Sequence, residues 1–397
     1  MNRNGSLFSQ ILSLFQRSDF ARHVRDLKSD FGAKGFSSWD HFVAMLFCQL
    51  GQARSLREIT DGLRSCEGKL KHLGLMGHQP KRSTLSYANA HRPWQLYERL
   101  FYDLLGQCRA ISPGQNFHFK NRLLTLDSSL IELCASLYDW AHFTRTKGAV
   151  KIHCLLDHDG YLPVFAQIGD GHSSDRAVAR TLALPKDSVV VVDRGYSDYQ
   201  LFGRWTKEGV IFVTRLRTSA LYSRVQSVPV RAGGPVLWDD WVQCASPKGC
   251  GPLPVWRRIS FWCQERQEEI QLLTNQLDWP AATVMEVYKA RWQIELFFKT
   301  LKQQLKVKTF VGTSANAVQI QIWTALIAIL IVRYLQFRSR FTWAVSNLVA
   351  LLRLNLFTYR DLWEWINRPF DTPPEPLAQL ELALDSISQP AFKKEME

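Results

Sequence analysis

Four consecutive valines, Val189–Val192, constrain the fold of this chain more than any other feature of the sequence. A strand with apolar side chains on both faces must be covered on both sides, which is typical of a parallel sheet between layers of helices. Helical patterns lie on either side, over residues 175–184 and 199–208, and a further strand pattern spans residues 210–216. This alternation predicts an α/β fold.

A second apolar run, at residues 123–126, also ends in a carboxylate. Asp127 follows this run directly, as Asp193 follows the valines. We expect the two strands to lie side by side and to end at these residues. Ligands bind where strand ends meet in such sheets, so the two carboxylates are candidate ligand-binding residues. An Asp after a strand is also a common turn residue, so each position has a structural alternative.

A hairpin is predicted across residues 150–168, with Asp157 and Asp159 as turn residues. Asp170, which follows the hairpin, is the main alternative metal ligand in this region. His153 lies between apolar neighbours and is interpreted as a half-buried histidine whose hydrogen bonds are satisfied rather than as a ligand.

The first third of the chain has the apolar spacing of helices, with Ser or Thr at the expected caps. Residues 1–120 contain 17 Lys and Arg against 9 Asp and Glu, whereas the whole chain has a net charge of +13. This concentration of positive charge favours DNA binding, with a solvated basic surface as the alternative. Helices are predicted at residues 6–15, 39–50, 55–63 and 93–107, with another short one that begins near residue 83.

The eight cysteines include no pair with the Cys-x-x-Cys spacing of a zinc site, and we expect reduced thiols in a cytoplasmic protein. No apolar signal-peptide run follows Met1. Residues 322–332 are strongly apolar but cover only about half of a membrane span. A buried core helix is therefore predicted there, and a membrane anchor is the alternative.

A long helix predicted over residues 281–305 supplies a third carboxylate, Glu295. At about 100° per residue, Glu295 shares one polar stripe with Tyr288, Arg291 and Lys302, beside an apolar stripe. This pattern places the polar stripe at the border of the buried face, where a helix can line a cleft. Surface charge with incidental pairing of Arg291 and Glu295 is the alternative.

The spacing Tyr-x2-Arg-x3-Glu-x6-Lys, from Tyr288 to Lys302, resembles the signature of DDE transposases of the insertion-sequence 4 family. Asp193-Arg194-Gly195-Tyr196 and the segment at residues 125–129 resemble the family's two Asp motifs. The similarity extends over roughly residues 5–365, and the basic helical N-terminus resembles the extra N-terminal domain of one branch.

The resemblance implies an RNase H-like catalytic domain with a β-rich insertion, preceded by an all-helical DNA-binding domain. The expected boundaries are 1–115 for the helical domain, 120–217 and 269–366 for the two parts of the catalytic core, 218–268 for the insertion and 367–397 for a loose tail.

The resemblance further implies that Asp127, Asp193 and Glu295 are the catalytic residues of cut-and-paste transposition and bind two Mg²⁺ ions, for which Mn²⁺ can substitute. Physical chemistry agrees, because hard divalent ions prefer carboxylate oxygens. Two such ions about 3.5–4 Å apart can activate a nucleophile and stabilise the leaving oxygen of a phosphodiester.

Tyr288, Arg291 and Lys302 are the implied contacts to transposon-end DNA, and target DNA is the second partner. A homodimer is expected in the synaptic complex, with no membrane association, in the cytoplasm at the nucleoid. The family also holds a flipped base on an aromatic residue of the insertion. Four tryptophans compete for that role: Trp238, Trp241, Trp256 and Trp262.

Two alternative functions use the same residues. Another nuclease of the RNase H-like fold, such as a resolvase or a repair enzyme, would need the same three carboxylates. An inactive transposase relic could act as a DNA-binding regulator, although the complete triad argues against it.

Overall fold

The computed structural model describes residues 5–66, 73–75, 80–114, 119–134, 138, 140–141, 147–231, 233–246, 251–304 and 310–371. Over these residues, a group of N-terminal helices precedes a single mixed β-sheet, and further helices cover both faces of the sheet. This agrees with the predicted α/β class. Most of the tail predicted to be loose lies outside the described residues.

The described part of the N-terminal third is entirely helical, as predicted. Its helices are α1 (Leu7–Leu12), α2 (Arg17–Asp26), α3 (Ser38–Leu50), α4 (Leu56–Arg64), α5 (Arg82–His91) and α6 (Gln95–Ile111). The sequence interpretation missed α2, which buries only Phe20 and His23 and therefore has a weak apolar stripe. Ser37 and Ser55 cap α3 and α4 by accepting hydrogen bonds from backbone N–H groups.

The sheet contains nine strands within the described residues. They are β1 (Leu123–Cys134), β2 (Lys147–Asp157), β3 (Leu162–Asp170), β4 (Val189–Val192), β5 (Ile211–Arg215), β6 (Tyr222–Ser227), β7 (Val236–Cys244), β8 (Trp256–Cys263) and β9 (Glu268–Thr274). Their spatial order is β3-β2-β1-β4-β5-β9-β8-β7-β6. The pairs β1–β4 and β4–β5 are parallel, and every other neighbouring pair is antiparallel.

The four valines of β4 are fully buried, and their side chains alternate between two apolar cores. Val190 and Val192 pack in a core that includes α8, whereas Val189 and Val191 pack in a core that includes α9. The later helices are α7 (Asp175–Thr181), α8 (Tyr199–Lys207), α9 (Ala281–Ala290), α10 (Trp292–Lys299), α11 (Ala315–Arg338), α12 (Val345–Asn355) and α13 (Leu362–Asn367). Coverage on both faces is what the valine run predicted.

The sequence interpretation expected β1 to end at Asp127, but the strand continues beyond this residue. Its parallel pairing with β4 stops at Leu126, opposite Val192, but its antiparallel pairing with β2 continues to Cys134. Asp127 therefore lies within the strand, at the point where one of its two neighbours ends. The prediction was wrong about the strand end and right that the two strands lie side by side.

The predicted long helix is interrupted, contrary to expectation. α9 ends and α10 begins at Arg291, and α10 passes into a π-helical turn, Thr300–Gln304. The polar and apolar stripes nevertheless have the predicted exposure. The polar residues Tyr288, Arg291, Glu295 and Lys302 are partly exposed. The apolar stripe beside them is buried: Val287, Ile294, Phe297, Phe298 and Leu301.

Helix α11 confirms the prediction of a buried helix over the apolar segment. It is the described helix with the length and composition to cross a membrane, and 83% of its most apolar window is buried inside the protein. It packs against α3, α5 and α6 of the N-terminal third and also touches β3. The N-terminal helices therefore share a core with the C-terminal helices.

Buried neutral histidines should make the fold sensitive to acid. Burial lowers the pKa of His41 to about 3 and that of His158 to about 4. The unfolded chain therefore binds more protons below pH 6.5, so stability is complete above that pH and falls as the pH drops. At pH 5 each such histidine should cost about 2 kcal/mol.

We expect a lower melting temperature at pH 5 than at pH 7.5, and His41→Gln should reduce this difference. His172→Gln is the matched control, because His172 is exposed. Equal pH dependence in both variants and the wild type would contradict the role of His41.

Candidate active site

Asp127 and Asp193 occupy equivalent positions on neighbouring strands. Each is the residue after the last parallel pair of β1 and β4, Leu126 with Val192. The carboxylate of Asp193 turns back to accept a hydrogen bond from the backbone N–H of Gly195. A Cβ at Gly195 would lie 2.8 Å from the Asp193 Oδ1 atom, so a larger residue there would displace the Asp193 carboxylate.

Glu295 is linked to Asp127 through Arg291. The Arg291 guanidinium donates to Asp127 Oδ2 at 3.3 Å and to Glu295 Oε1 at 2.5 Å. Only 14% of the Arg291 side chain is exposed, so these charge-assisted bonds are screened weakly. The break between α9 and α10 therefore lies at the residue that connects the helix to β1.

The Asp127 carboxyl is in an environment that disfavours its charge. Burial raises its pKa to about 6, and the negative charges of Asp193 and Glu295 contribute to the rise. The backbone N–H of Ser128 and the guanidinium of Arg291 oppose it. Two further carboxylates thus act on Asp127 where the parallel pairing of β1 and β4 ends, and a bound cation would offset their negative charge.

The three carboxylates suit a hard divalent cation in their chemistry. Among the described side chains, however, no three His, Cys, Asp or Glu residues are grouped closely enough to hold one ion. Arg291 supplies the positive charge between Asp127 and Glu295 instead. A metal bound by these residues would therefore require Arg291 to move away from at least one of them.

A fourth carboxylate lies beside the site, and the sequence interpretation did not select it. Asp175, the first residue of α7, accepts a hydrogen bond from the Ser128 hydroxyl at 2.7 Å and pairs with the Lys151 ammonium at 2.8 Å. Ser128 in turn donates its backbone N–H to Asp127 Oδ1 at 2.8 Å. Asp175 thus supports the residue that holds Asp127.

His153 and Tyr196 complete this supporting group. His153 is fully buried, its Nδ1 lies 3.5 Å from Asp175, and neither ring nitrogen has a hydrogen-bond partner among the residues that the structure describes. The interpretation of His153 as half-buried with satisfied hydrogen bonds was therefore wrong. Burial raises the pKa of the Tyr196 hydroxyl, and the charges of Asp175 and Asp127 raise it further.

The remaining candidates lie in different settings. Asp170 accepts hydrogen bonds from His172 and Ser173 at an exposed turn after β3. Asp157 pairs with Arg122 and also accepts the backbone N–H of Asp159, as a structural turn residue does. Of the four tryptophans between β5 and β9, Trp238 is 53% exposed and Trp262 is 39% exposed. Trp241 is partly buried and Trp256 is fully buried.

Comparison with known families identifies the chain. Residues 118–331 match the Transposase DDE domain family, and residues 3–76 match a domain of unknown function, DUF4372. The first match covers more than half of the chain and contains Asp127, Asp193 and Glu295. The protein belongs to the DDE transposase family.

Individual relatives carry the same name. A protein named as a transposase, y4zB of Sinorhizobium fredii, is 31% identical over 71% of this chain and 79% of its own length. A transposase of the insertion sequence element IS4SA from Synechocystis is 25% identical over 80% of this chain and 88% of its own length. A third transposase, of the insertion sequence element IS5377 from Geobacillus stearothermophilus, is 25% identical over 64% of this chain and 67% of its own length.

Among solved structures, the piggyBac transposase synaptic complex with hairpin DNA aligns with 98% of this chain and 85% of that chain. The TM-score is 0.43 and the sequence identity is 12%. The family and the named relatives establish that this protein is a transposase of an insertion sequence, an enzyme class that depends on divalent metal and acts on DNA.

Proposed function

We propose that this transposase cleaves DNA at the ends of its element and joins those ends to target DNA, with Asp127, Asp193 and Glu295 as its catalytic residues. The observation that carries the proposal is the position of two aspartates side by side on β1 and β4, with Glu295 joined to Asp127 through Arg291. Each of these residues lies in the part of the chain that matches the transposase family.

We infer that the three carboxylates hold Mg²⁺, for which Mn²⁺ can substitute, with two ions at the site. Such ions lower the pKa of the attacking water and neutralise charge on the leaving oxygen. Asp127 and Asp193 lie on strands and form a rigid base, whereas Glu295 lies on α10. Arg291, the residue between α9 and α10, keeps helical backbone angles, so Glu295 on α10 follows closely on α9.

Arg291 has two successive roles in this proposal. Without DNA and metal, its guanidinium offsets the charges of Asp127 and Glu295. When those carboxylates acquire another cation, Arg291 becomes available to bind a DNA phosphate through two of its donors. Tyr288 lies one helical turn earlier, with its ring 6.0 Å from the Arg291 guanidinium carbon, and would contact the same DNA.

Lys302 extends this DNA contact into the π-helical turn, where it is partly exposed. We expect Lys302→Ala to weaken binding to transposon-end DNA and to lower the slope of log affinity against log salt by about one unit, since one phosphate contact is lost. Fluorescence anisotropy over a salt series measures both quantities. Lys207→Ala, which removes an exposed lysine of α8, is the control. An unchanged slope would place Lys302 outside the interface.

The domain interpretation completes the proposal. We infer that residues 1–115 bind DNA, that residues 120–217 and 269–366 form an RNase H-like core, and that residues 218–268 are its insertion. The mixed sheet with helices on both faces supports this core. A homodimer in the synaptic complex and a location at the nucleoid follow from the same function. Trp238 and Trp262 are the accessible candidates for a flipped base.

Cleavage of a plasmid that carries the DNA flanking the gene tests the proposal. Metal-dependent breaks at the two ends of the element are the expected result. Cleavage without preference for those ends would indicate a different nuclease, and binding without cleavage would indicate an inactive relic that regulates transcription.

A further inference from the structure

We propose that the exposed face of α5 is the surface by which the N-terminal helices bind duplex DNA, with the loop at residues 28–35 beside it. The inference rests on the proposed function in one respect: the partner is the DNA on which the transposase acts. It goes beyond that function because it assigns a binding surface to the N-terminal region.

The exposed face of α5 has the composition of a DNA-binding helix. Its exposed side chains are Arg82, Ser83, Ser86, Tyr87 and His91. Arginine can bind a phosphate or a guanine edge, and the two serines are small enough for close approach to DNA. Lys81, just before the helix, is exposed as well, and no residue of α5 is acidic.

The opposite face fixes α5 to the body of the protein. Leu85 and Ala88 are buried, and Asn89 is hydrogen-bonded through its side chain to His41 of α3 at 2.7 Å. The Asn316 amide of α11 donates to the Asn89 backbone carbonyl at 2.8 Å. A helix held from two sides presents its exposed face without a further ordering cost on binding.

A groove of about 660 Å³ separates α5 from the neighbouring loop. Lys28, Phe31 and Lys34 line it from the loop side, and Phe31 is 90% exposed. Tyr87 and His91 line it from the helix side. Two exposed aromatic side chains, Phe31 and Tyr87, thus line the same groove, and grouped exposed apolar surface can mark a binding site.

The charge around the groove matches a polyanion. None of the residues that line it is acidic, and two lysines, Lys28 and Lys34, line it from the loop side. The nearest acid in the loop, Asp30, is partly exposed, but its carboxylate accepts from the Ser38 backbone at 2.7 Å and lies 3.6 Å from Arg92. The lining itself therefore offers a phosphate the ammonium groups of Lys28 and Lys34 and no carboxylate.

The shape of the surface favours duplex DNA. Ten residues of α-helix span about 15 Å, and a major groove about 12 Å wide accepts one helix. α5 packs against α4, as the second helix of a helix-turn-helix packs against the first. The connection, residues 65–81, is longer than the usual turn of that motif.

The stacked pair on α5 adds an aromatic contact. The rings of Tyr87 and His91 lie 4.0 Å apart and nearly parallel, and His91 Nδ1 donates to the Tyr87 carbonyl oxygen at 2.9 Å. This pair forms a flat surface that can contact a thymine methyl group or a sugar. The loop lysines would then bind phosphates at the edge of the major groove.

The test uses the full-length protein, because α5 depends on contacts with α11. The probe is a fluorescein-labelled duplex of about 30 base pairs, about three helical turns, taken from the DNA that flanks the gene. Anisotropy measures affinity over a salt series. The variant is Arg82→Glu with Tyr87→Ala. The control is Arg353→Glu with Leu354→Ala, which changes a second exposed pair on α12.

The α5 variant should bind at least about tenfold more weakly than the wild type and have a lower salt slope, while the control keeps wild-type affinity and all three proteins keep the same melting temperature. Phe31→Ala should weaken binding in the same direction. Wild-type affinity in both the α5 variant and Phe31→Ala would overturn the inference. A wild type that binds no duplex at low salt would instead overturn the proposed function. Binding to the labelled strand alone, without binding to the duplex, would overturn the assignment to duplex DNA.

Discussion

Glu295→Gln is expected to reduce cleavage at the element ends by roughly a thousandfold or more, as loss of a catalytic residue commonly does. The substitution keeps the size of the side chain and an oxygen that can accept from Arg291. It removes the charge that would hold the divalent ion. Affinity for end DNA should change little, because it rests on Lys and Arg side chains that the variant retains.

Glu286→Gln provides the matched control. Glu286 lies on α9, nine residues before Glu295, and is exposed. Each variant is assayed for Mg²⁺-dependent strand breaks on the plasmid and for DNA binding by anisotropy. Normal cleavage by Glu295→Gln would exclude Glu295 from the catalytic site, and Asp175 would be the next carboxylate to test.

Asp175→Asn is the second substitution for which a large effect is expected. It weakens a network in which Asp175 accepts from Ser128 and pairs with Lys151, while Ser128 holds Asp127. Residues that position a metal ligand commonly change metal affinity or activity by about 10- to 100-fold. Cleavage should therefore fall by that factor, with a higher Mg²⁺ concentration needed for half-maximal rate.

The dependence on Mg²⁺ separates a positioning role from a structural one. A variant that is merely less stable would lose activity equally at all Mg²⁺ concentrations and would melt earlier. Asp170→Asn is the control, because Asp170 caps an exposed turn and lies close to Asp175 in the sequence. If Asp170→Asn shifts the Mg²⁺ dependence and Asp175→Asn does not, the roles assigned to these two residues must be exchanged.

Local patterns were sufficient to predict the main elements around the site. Four valines indicate a strand buried on both faces, and the observed packing of Val189 and Val190 against opposite cores is the direct consequence. The periodicity around Glu295 correctly separated buried from partly exposed positions. These features depend on residues within one element, so they can be recognised without knowledge of its neighbours.

The features that sequence reasoning missed depend on distant partners. β1 continues past Asp127 because β2 pairs with it as far as Cys134, and no pattern within β1 reveals the length of β2. The helix break at Arg291 has no Pro or Gly to signal it, and it coincides with a contact to Asp127, 164 residues away. The group formed by Asp175, Lys151 and Ser128 likewise assembles from three separate elements.

The route of the chain between β5 and β9 makes the intervening segment exchangeable. After Arg215 the chain forms β6, β7 and β8 at the far side of the same sheet and returns beside β5 at Leu272, where the Leu216 N–H bonds to the Gln271 carbonyl at 2.8 Å. The two points of attachment are thus neighbours, and a replacement segment would have to supply apolar side chains to the two cores that now contain Val242, Trp256 and Ile259. Simple deletion would leave β9 as an open edge prone to aggregation. Replacement of this segment by that of a relative is accordingly a route to chimeric proteins that keep the pairing of β1, β4 and β5.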